Sequence, residues 1–156
     1  FAVFGVRTTY EGNHIILKKE RAVDFSNVPE LEFNVLAQPD LAQTIAVTCA
    51  GLGCNAFISG LQSLKIKETD RLEALRIELT KLGANISVTN DSLTLVATTA
   101  INSNVKIATY NDHRMAMAFT PLALKIAITV NDSEVVSKSY PEFWADLESI
   151  GFQIKK

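Results

Sequence analysis

The chain repeats itself, and that repeat restricts it to folds assembled from a duplicated supersecondary unit. Gly5-Val6-Arg7-Thr8-Thr9-Tyr10-Glu11-Gly12-Asn13-His14-Ile15-Ile16-Leu17 aligns with Gly83-Ala84-Asn85-Ile86-Ser87-Val88-Thr89-Asn90-Asp91-Ser92-Leu93-Thr94-Leu95. Each copy reads as a short strand, a tight polar turn and a second strand. Asp40-Leu41-Ala42-Gln43-Thr44-Ile45-Ala46-Val47 likewise matches Asp112-His113-Arg114-Met115-Ala116-Met117-Ala118-Phe119, an aspartate leading an Ala-rich apolar helix in both. The two offsets are similar, as one unit with a changed loop length requires.

A second helix follows in each copy. Over 69–82, Leu72, Leu75, Leu79 and Leu82 recur at three- and four-residue steps and turn one stripe toward a core. Over 141–150, Phe143, Trp144, Leu147 and Ile150 do the same, and Gly83 and Gly151 stand just past the two helices as left-handed stops. Strands fit at 55–59, 105–109 and 126–130; a polar surface connection over 20–32 leads into another at 31–36. The unit is helix, strand, helix and hairpin, an α/β arrangement with mixed sheets. With no linker or low-complexity tract between copies, the chain reads as one domain.

Composition narrows the function. A chain of 156 residues with 47% hydrophobic content can bury one core. With 15 Lys and Arg against 17 Asp and Glu, no overall field favours nucleic acid or an anionic membrane surface, so any anion site must be local. No apolar run approaches the ~20 residues that span a bilayer, which makes a cytoplasmic setting the expectation. Phe1 is not an initiator, and residues 1–5 read as the continuation of a longer chain rather than a signal peptide. Cys49 and Cys54 lack metal-site spacing and nearby histidines and read as packing thiols.

The residues that stand out are cations at helix starts. Lys65-Ile66-Lys67-Glu68-Thr69-Asp70-Arg71 enters a helix with Thr69 as its cap and Asp70 in the first turn. Arg71 is misplaced there, because a cation in the first turn costs ~0.3–1 kcal/mol against the helix dipole. Its plain reading is a solvated arginine held by Glu68 or Asp70. The oddity recurs where Asp112 caps a helix that begins His113-Arg114, and again where Lys138 precedes Ser139-Tyr140-Pro141. Helix N-termini already attract anions, so Lys67, Arg71, Arg114 and Lys138 would build a phosphate and carboxylate site. Asp40 and Glu68 are the acidic members, with proton transfer the functional reading and a simple helix cap the plain one for Asp40. His113 fits either a structural hydrogen bond or a site contact, and His14 reads as surface.

Lys67-Glu68-Thr69-Asp70-Arg71, Tyr110-Asn111-Asp112-His113-Arg114-Met115-Ala116-Met117 and Lys138-Ser139-Tyr140-Pro141, in this order, resemble the carboxy-terminal motifs of the 5-enolpyruvylshikimate-3-phosphate synthases. Pro39-Asp40 falls where that family has its catalytic aspartate, and the resemblance runs over essentially the whole chain. It implies part of an inside-out α/β barrel domain of the enolpyruvyl transferases, built from repeated βαβαββ units with helices inside and sheets outside; residues 1–156 would be its carboxy-terminal part, about two units. It also implies transfer of the enolpyruvyl group of phosphoenolpyruvate to the 5-hydroxyl of shikimate 3-phosphate, with no metal or organic cofactor. Asp40 and Lys67 would meet the 5-hydroxyl, with Asp40 as base, and Glu68 would move a proton at the phosphoenolpyruvate methylene. Arg71 and Arg114 would hold the carboxylate and Lys138 the phosphate, with His113 an auxiliary contact. Ser63, where several relatives carry Asn, would touch shikimate 3-phosphate. The family's amino-terminal Lys-Ser motif, Gly-rich loop and Ser-Ser-Gln segment do not occur in this sequence, so the missing amino-terminal portion of the same protein would have to complete the site.

Two alternatives remain open at this level. The sister transferase acting on UDP-N-acetylglucosamine shares the fold but should carry a reactive cysteine loop. A non-catalytic α/β module that binds a phosphorylated ligand would need only the cations.

Overall fold

The computed structural model describes residues 1–96, 98 and 100–155, and of Ser26 the backbone alone. In chain order the strands and α-helices are β1 (Val6–Glu11), β2 (His14–Lys19), β3 (Leu31–Asn34), α1 (Ala42–Leu52), β4 (Ala56–Ser59), α2 (Arg71–Lys81), β5 (Asn85–Val88), β6 (Ser92–Val96), β7 (Val105–Ile107), α3 (His113–Phe119), β8 (Ile128–Val130) and α4 (Phe143–Ser149). Elements β3 to β6 make one complete βαβαββ unit. The β1–β2 hairpin precedes it, and β7 to α4 supply the first four elements of another.

The complete unit builds a four-stranded sheet in the order β3-β4-β6-β5. β3 and β4 run parallel, joined across α1, while β6 pairs antiparallel with both β4 and β5. Register places Ala56 beside Leu95 and Ile58 beside Leu93, and all four are buried on one face. α1, α2 and the start of the next unit cover that face. The second parallel pair, β7 and β8, is connected through α3, so the crossover logic repeats.

α1 lies innermost because its sequence lets it. Ala42, Ala46, Val47, Cys49, Ala50 and Gly51 are buried along it, and α2 and α3 pack against it. Small side chains permit that approach; a Cβ on Gly51 would come within 2.9 Å of the Leu122 side chain. The leucine stripe of α2 is fully committed, Leu72, Leu75, Leu79 and Leu82 all being buried. Cys49 and Cys54 are buried as well, the contact with Cys54 and burial together pushing the Cys49 thiol up. Gly83 and Gly151 adopt φ of 89° and 104°, the left-handed stops the sequence suggests.

Several boundaries differ from the sequence reading. Asp70, not Thr69, caps α2, its Oδ1 accepting from the Glu73 amide at 3.1 Å, which makes Arg71 the first helical residue. The strand over 105–109 stops at Ile107 because Thr109 opens a turn, and the strand over 126–130 begins only at Ile128 because the Ile126 amide closes the preceding turn on the Leu122 carbonyl. The helix over 141–150 is shorter, Phe143–Ser149, and its apolar stripe is only half-buried: Phe143 and Trp144 pack on a small cluster with Val135 and Val136, while Ile150 is 74% exposed. The connection over 20–32 is not all surface, since Phe25 sets its ring edge-on to Phe4 at 6.1 Å.

Gly60 ends β4 at φ 82°, and a Cβ there would lie 2.5 Å from the Leu36 backbone nitrogen. Gly60→Ala is expected to cost more than about 2 kcal/mol, left-handed strain compounded by a clash with backbone. Urea unfolding midpoints of the two proteins measure it.

Candidate anion site

Each segment that carries a candidate residue follows the carboxyl end of a parallel strand. β3 leads through Val35 to the 3-10 turn Pro39–Leu41 with Asp40, and β4 leads through Gly60 to the 3-10 turn Gln62–Ile66, Lys67, Glu68 and the start of α2. β7 leads to Asp112, His113 and Arg114, and β8 to the 3-10 segment Ser133–Lys138. Ligands of α/β folds collect at this edge, where strand ends release the chain into loops and helix starts. The β5–β6 hairpin braces it: the Leu61 amide bonds the Asp91 carbonyl at 2.9 Å, and Lys65 Nζ reaches Asn90 Oδ1 at 2.7 Å.

Arg71 is the centre. It is 1% exposed, so the solvated reading fails, and its guanidinium donates in three directions. Nε reaches Asp112 Oδ2 at 2.6 Å and Nη2 reaches Asp112 Oδ1 at 3.3 Å; Nη1 reaches Asp40 Oδ1 at 2.7 Å and Nη2 reaches Glu68 Oε2 at 2.6 Å. Asp112, itself 0% exposed, also accepts from the Arg114 amide at 2.9 Å and thereby caps α3. Asp70, the other partner the sequence suggested for Arg71, is occupied at the cap.

Asp40 is no helix cap, as its carboxylate faces the cations. Besides Arg71 it pairs with Arg114 Nη2 at 3.0 Å and Lys67 Nζ at 3.7 Å. Burial pushes its carboxyl up, but the charges of Arg114, Arg71 and Lys67, with the Arg71 hydrogen bond, outweigh that and hold it below the ordinary range. Glu68 is held low as well, first by its own backbone N–H and then, against burial, by Arg71, His113 and Lys67.

The remaining candidates fall into place unevenly. Lys138 ends a 3-10 segment rather than opening a helix, α4 being capped later at Glu142, yet its Nζ reaches back to the Asn111 carbonyl at 2.9 Å and Oδ1 at 3.3 Å, beside the start of α3. His113 opens α3 with Nδ1 buried and unpartnered among the described residues. Ser63 lies half-buried in the turn before Lys67, apart from the ion-pair network. His14 is exposed on the hairpin. Sequence reasoning passed over Asp112 as a site member, treating it only as a cap; the signal was a helix-start arginine in need of a carboxylate. No group of three or more His, Cys, Asp and Glu among the described residues is arranged to hold a metal, and Arg71 fills the space between the three carboxylates.

Asp112→Asn leaves a buried guanidinium short of its counter-charge and is expected to destabilise the chain by about 3–5 kcal/mol in chemical unfolding. Asp40 and Glu68 both have carboxyls held below their ordinary range in the folded state. Their contribution to stability is therefore complete above about pH 5 and is lost as pH falls through the acid range. Unfolding free energy against pH should show that acid slope, and Asp40→Asn should flatten it.

Residues 4–147 match the family profile of EPSP synthase (3-phosphoshikimate 1-carboxyvinyltransferase). A 3-phosphoshikimate 1-carboxyvinyltransferase of Bacteroides fragilis is 46% identical over 99% of this chain, and one from Photobacterium damsela subsp. piscicida is 36% identical over 89%. The chain spans only 38% and 32% of those two relatives. A solved EPSP synthase from Acinetobacter baumannii superposes with a TM-score of 0.73 at 20% identity, covering 99% of this chain and 38% of that one, so the two share a fold. Motifs, fold and the extent of the profile match agree: the chain belongs to the EPSP synthase family.

Proposed function

We propose that this chain carries the phosphoenolpyruvate side of the active site of a 3-phosphoshikimate 1-carboxyvinyltransferase, as the carboxy-terminal part, about two repeat units, of one domain. The amino-terminal portion of the same protein would complete the site. The observation that supports this most is the convergence of Lys67, Arg71, Arg114 and Lys138 with Asp40 and Glu68 at one edge of the fold.

The reaction adds the 5-hydroxyl of shikimate 3-phosphate across the double bond of phosphoenolpyruvate, then expels phosphate and re-forms that bond. Asp40 takes the hydroxyl proton, with Lys67 beside it at 3.7 Å. Glu68 delivers a proton to the methylene and recovers one as phosphate leaves. Arg114 and Arg71 hold the carboxylate, Lys138 the phosphate, His113 assists, and Ser63 meets shikimate 3-phosphate. Fixed cations around a centre that gains negative charge stabilise it without reorganisation.

The bonding of Arg71 sets a condition on this reading. Four of the five N–H donors of Arg71 already point at carboxylates. A substrate anion must therefore draw Arg114 and the free Nη1–H of Arg71 toward itself and displace Asp40. An arriving negative charge also raises the pKa of nearby carboxyls. Both effects move Asp40 and Glu68 out of their clamped, weakly basic state toward one suited to proton transfer.

Titration of the chain with phosphoenolpyruvate to millimolar concentration should shift the backbone amides around Arg71, Arg114 and Lys138, and Arg114→Ala should weaken the response at least about tenfold. Absence of shifts would overturn the assignment. With both substrates present, the chain alone is expected to release no phosphate at a synthase-like rate, because half a site cannot exclude water.

A further inference from the structure

Outside the ion-pair cluster, α2 buries one more carboxylate. Glu78 is 0% exposed and lies on the leucine-lined face of the helix, where an apolar side chain would pack with no charge to desolvate. Both its oxygens are fully used. Oε1 accepts from Lys81 Nζ at 2.7 Å and from the Tyr110 hydroxyl at 2.7 Å; Oε2 accepts from Lys81 Nζ at 2.7 Å and from the Ala108 amide at 3.2 Å.

The bonds to Tyr110 and Ala108 clasp an unusual turn. The Asp112 amide closes on the Thr109 carbonyl at 2.9 Å, and the two residues between, Tyr110 and Asn111, sit at φ 54° and 58°. Positive φ at both central positions is the pattern that favours Asn and Gly. Asn111 tolerates it, whereas a tyrosine in that region costs about 1–2 kcal/mol. An unanchored Tyr110 would relax to negative φ and rotate the chain beyond it. The site lies immediately downstream: Asp112 on Arg71, Arg114 on Asp40, and the Asn111 carbonyl under Lys138.

We infer that Glu78 is a positioning residue: by holding the Tyr110 hydroxyl and the Ala108 amide it keeps the 109–112 turn in the strained shape that delivers Asp112, Arg114 and the Lys138 perch to the anion site. This role rests on the phosphoenolpyruvate assignment of that site. Burial and the Glu78 bond push the Tyr110 phenol well above its ordinary range, so the hydroxyl remains a donor throughout neutral pH. Lys81, exposed at its tip, neutralises Glu78 from the solvent side and leaves its inner bonds to the turn.

Two variants of the 156-residue chain test it: Tyr110→Phe, which removes one hydroxyl and keeps the ring, and Glu78→Gln, which keeps the shape and removes the charge. The first readout is the titration of the Asp40 side-chain carboxyl by NMR, which senses whether Arg114 is in place. The second is affinity for phosphoenolpyruvate, and the third is Tm. In both variants the Asp40 midpoint is expected to move up toward the ordinary carboxylate range and phosphoenolpyruvate to bind about fivefold more weakly. A lower Tm with the Asp40 midpoint unmoved would mean that Glu78 merely staples the fold, and would overturn the inference. Should Glu78→Gln fail to fold, Tyr110→Phe decides alone. Should the unmodified chain not bind phosphoenolpyruvate, the site assignment falls, while the Asp40 titration still judges Glu78.

Discussion

The guanidinium of Arg71 lies out of water with carboxylates on three sides, and the segments that bring those carboxylates are the ones that make the fold. Asp40 comes from the end of β3, Glu68 from the approach to α2, and Asp112 from the turn after β7. Burying a cation costs several kcal/mol unless its hydrogen bonds are nearly all made, and here four are. That requirement also explains an arginine in the first turn of a helix. The dipole disfavours it by a fraction of a kcal/mol, a small effect beside the attraction of three carboxylates at hydrogen-bond distance. Arg71 is thus buried beside the apolar core while its guanidinium ties together the segments that carry the cluster.

The ion-pair cluster balances its own formal charge. Lys67, Arg71 and Arg114 face Asp40, Glu68 and Asp112, and three like charges at that spacing would otherwise repel. Asp40 is the exchangeable member. It is over a third exposed and is shared among three cations, whereas Asp112 is sealed in and tied to the α3 backbone. On the proposed function, an incoming anion would compete with the first and leave the second as scaffold. Two aspartates that the internal repeat makes equivalent in sequence thus differ in depth of burial and in partners.

Much of this was legible in the chain, and the limits of legibility are physical. Internal similarity exposed the repeated unit because each copy builds the same succession of helices and hairpin, and the α2 leucine stripe reads directly as its buried side. The misplaced charge of Arg71 pointed to a cluster of ion pairs while its solvation was misjudged, since one segment does not reveal a carboxylate 41 positions further on. The Asp70 cap displaced Thr69 because both can accept from the helix amides, and only the backbone decides which stands at the entry. Strand ends at Ile107 and Ile128 were overextended because apolar and β-branched residues continue into the turns. The half-buried face of α4 was hidden from pattern reasoning, which reports where an apolar stripe lies and not what covers it.

The site spans two parallel strand pairs that belong to different sheets, β3 with β4 and β7 with β8. Among the described residues, no hydrogen-bond ladder fixes one pair relative to the other. Their relation rests on the packing of α1 against α3, on the ion pairs, and on the turns that leave the strands. Ladders set register to within a residue, but the aim of a side chain beyond a strand end depends on a few backbone dihedrals. That is where this chain places its unusual features: Gly60 at φ 82° against Leu36 on the route to Lys67, and the left-handed Tyr110 and Asn111 on the route to Arg114. The strain at Tyr110 persists only because its neighbours over-determine it. The geometry of the candidate site is thus set in the turns, with the sheets serving as the base from which the turns depart.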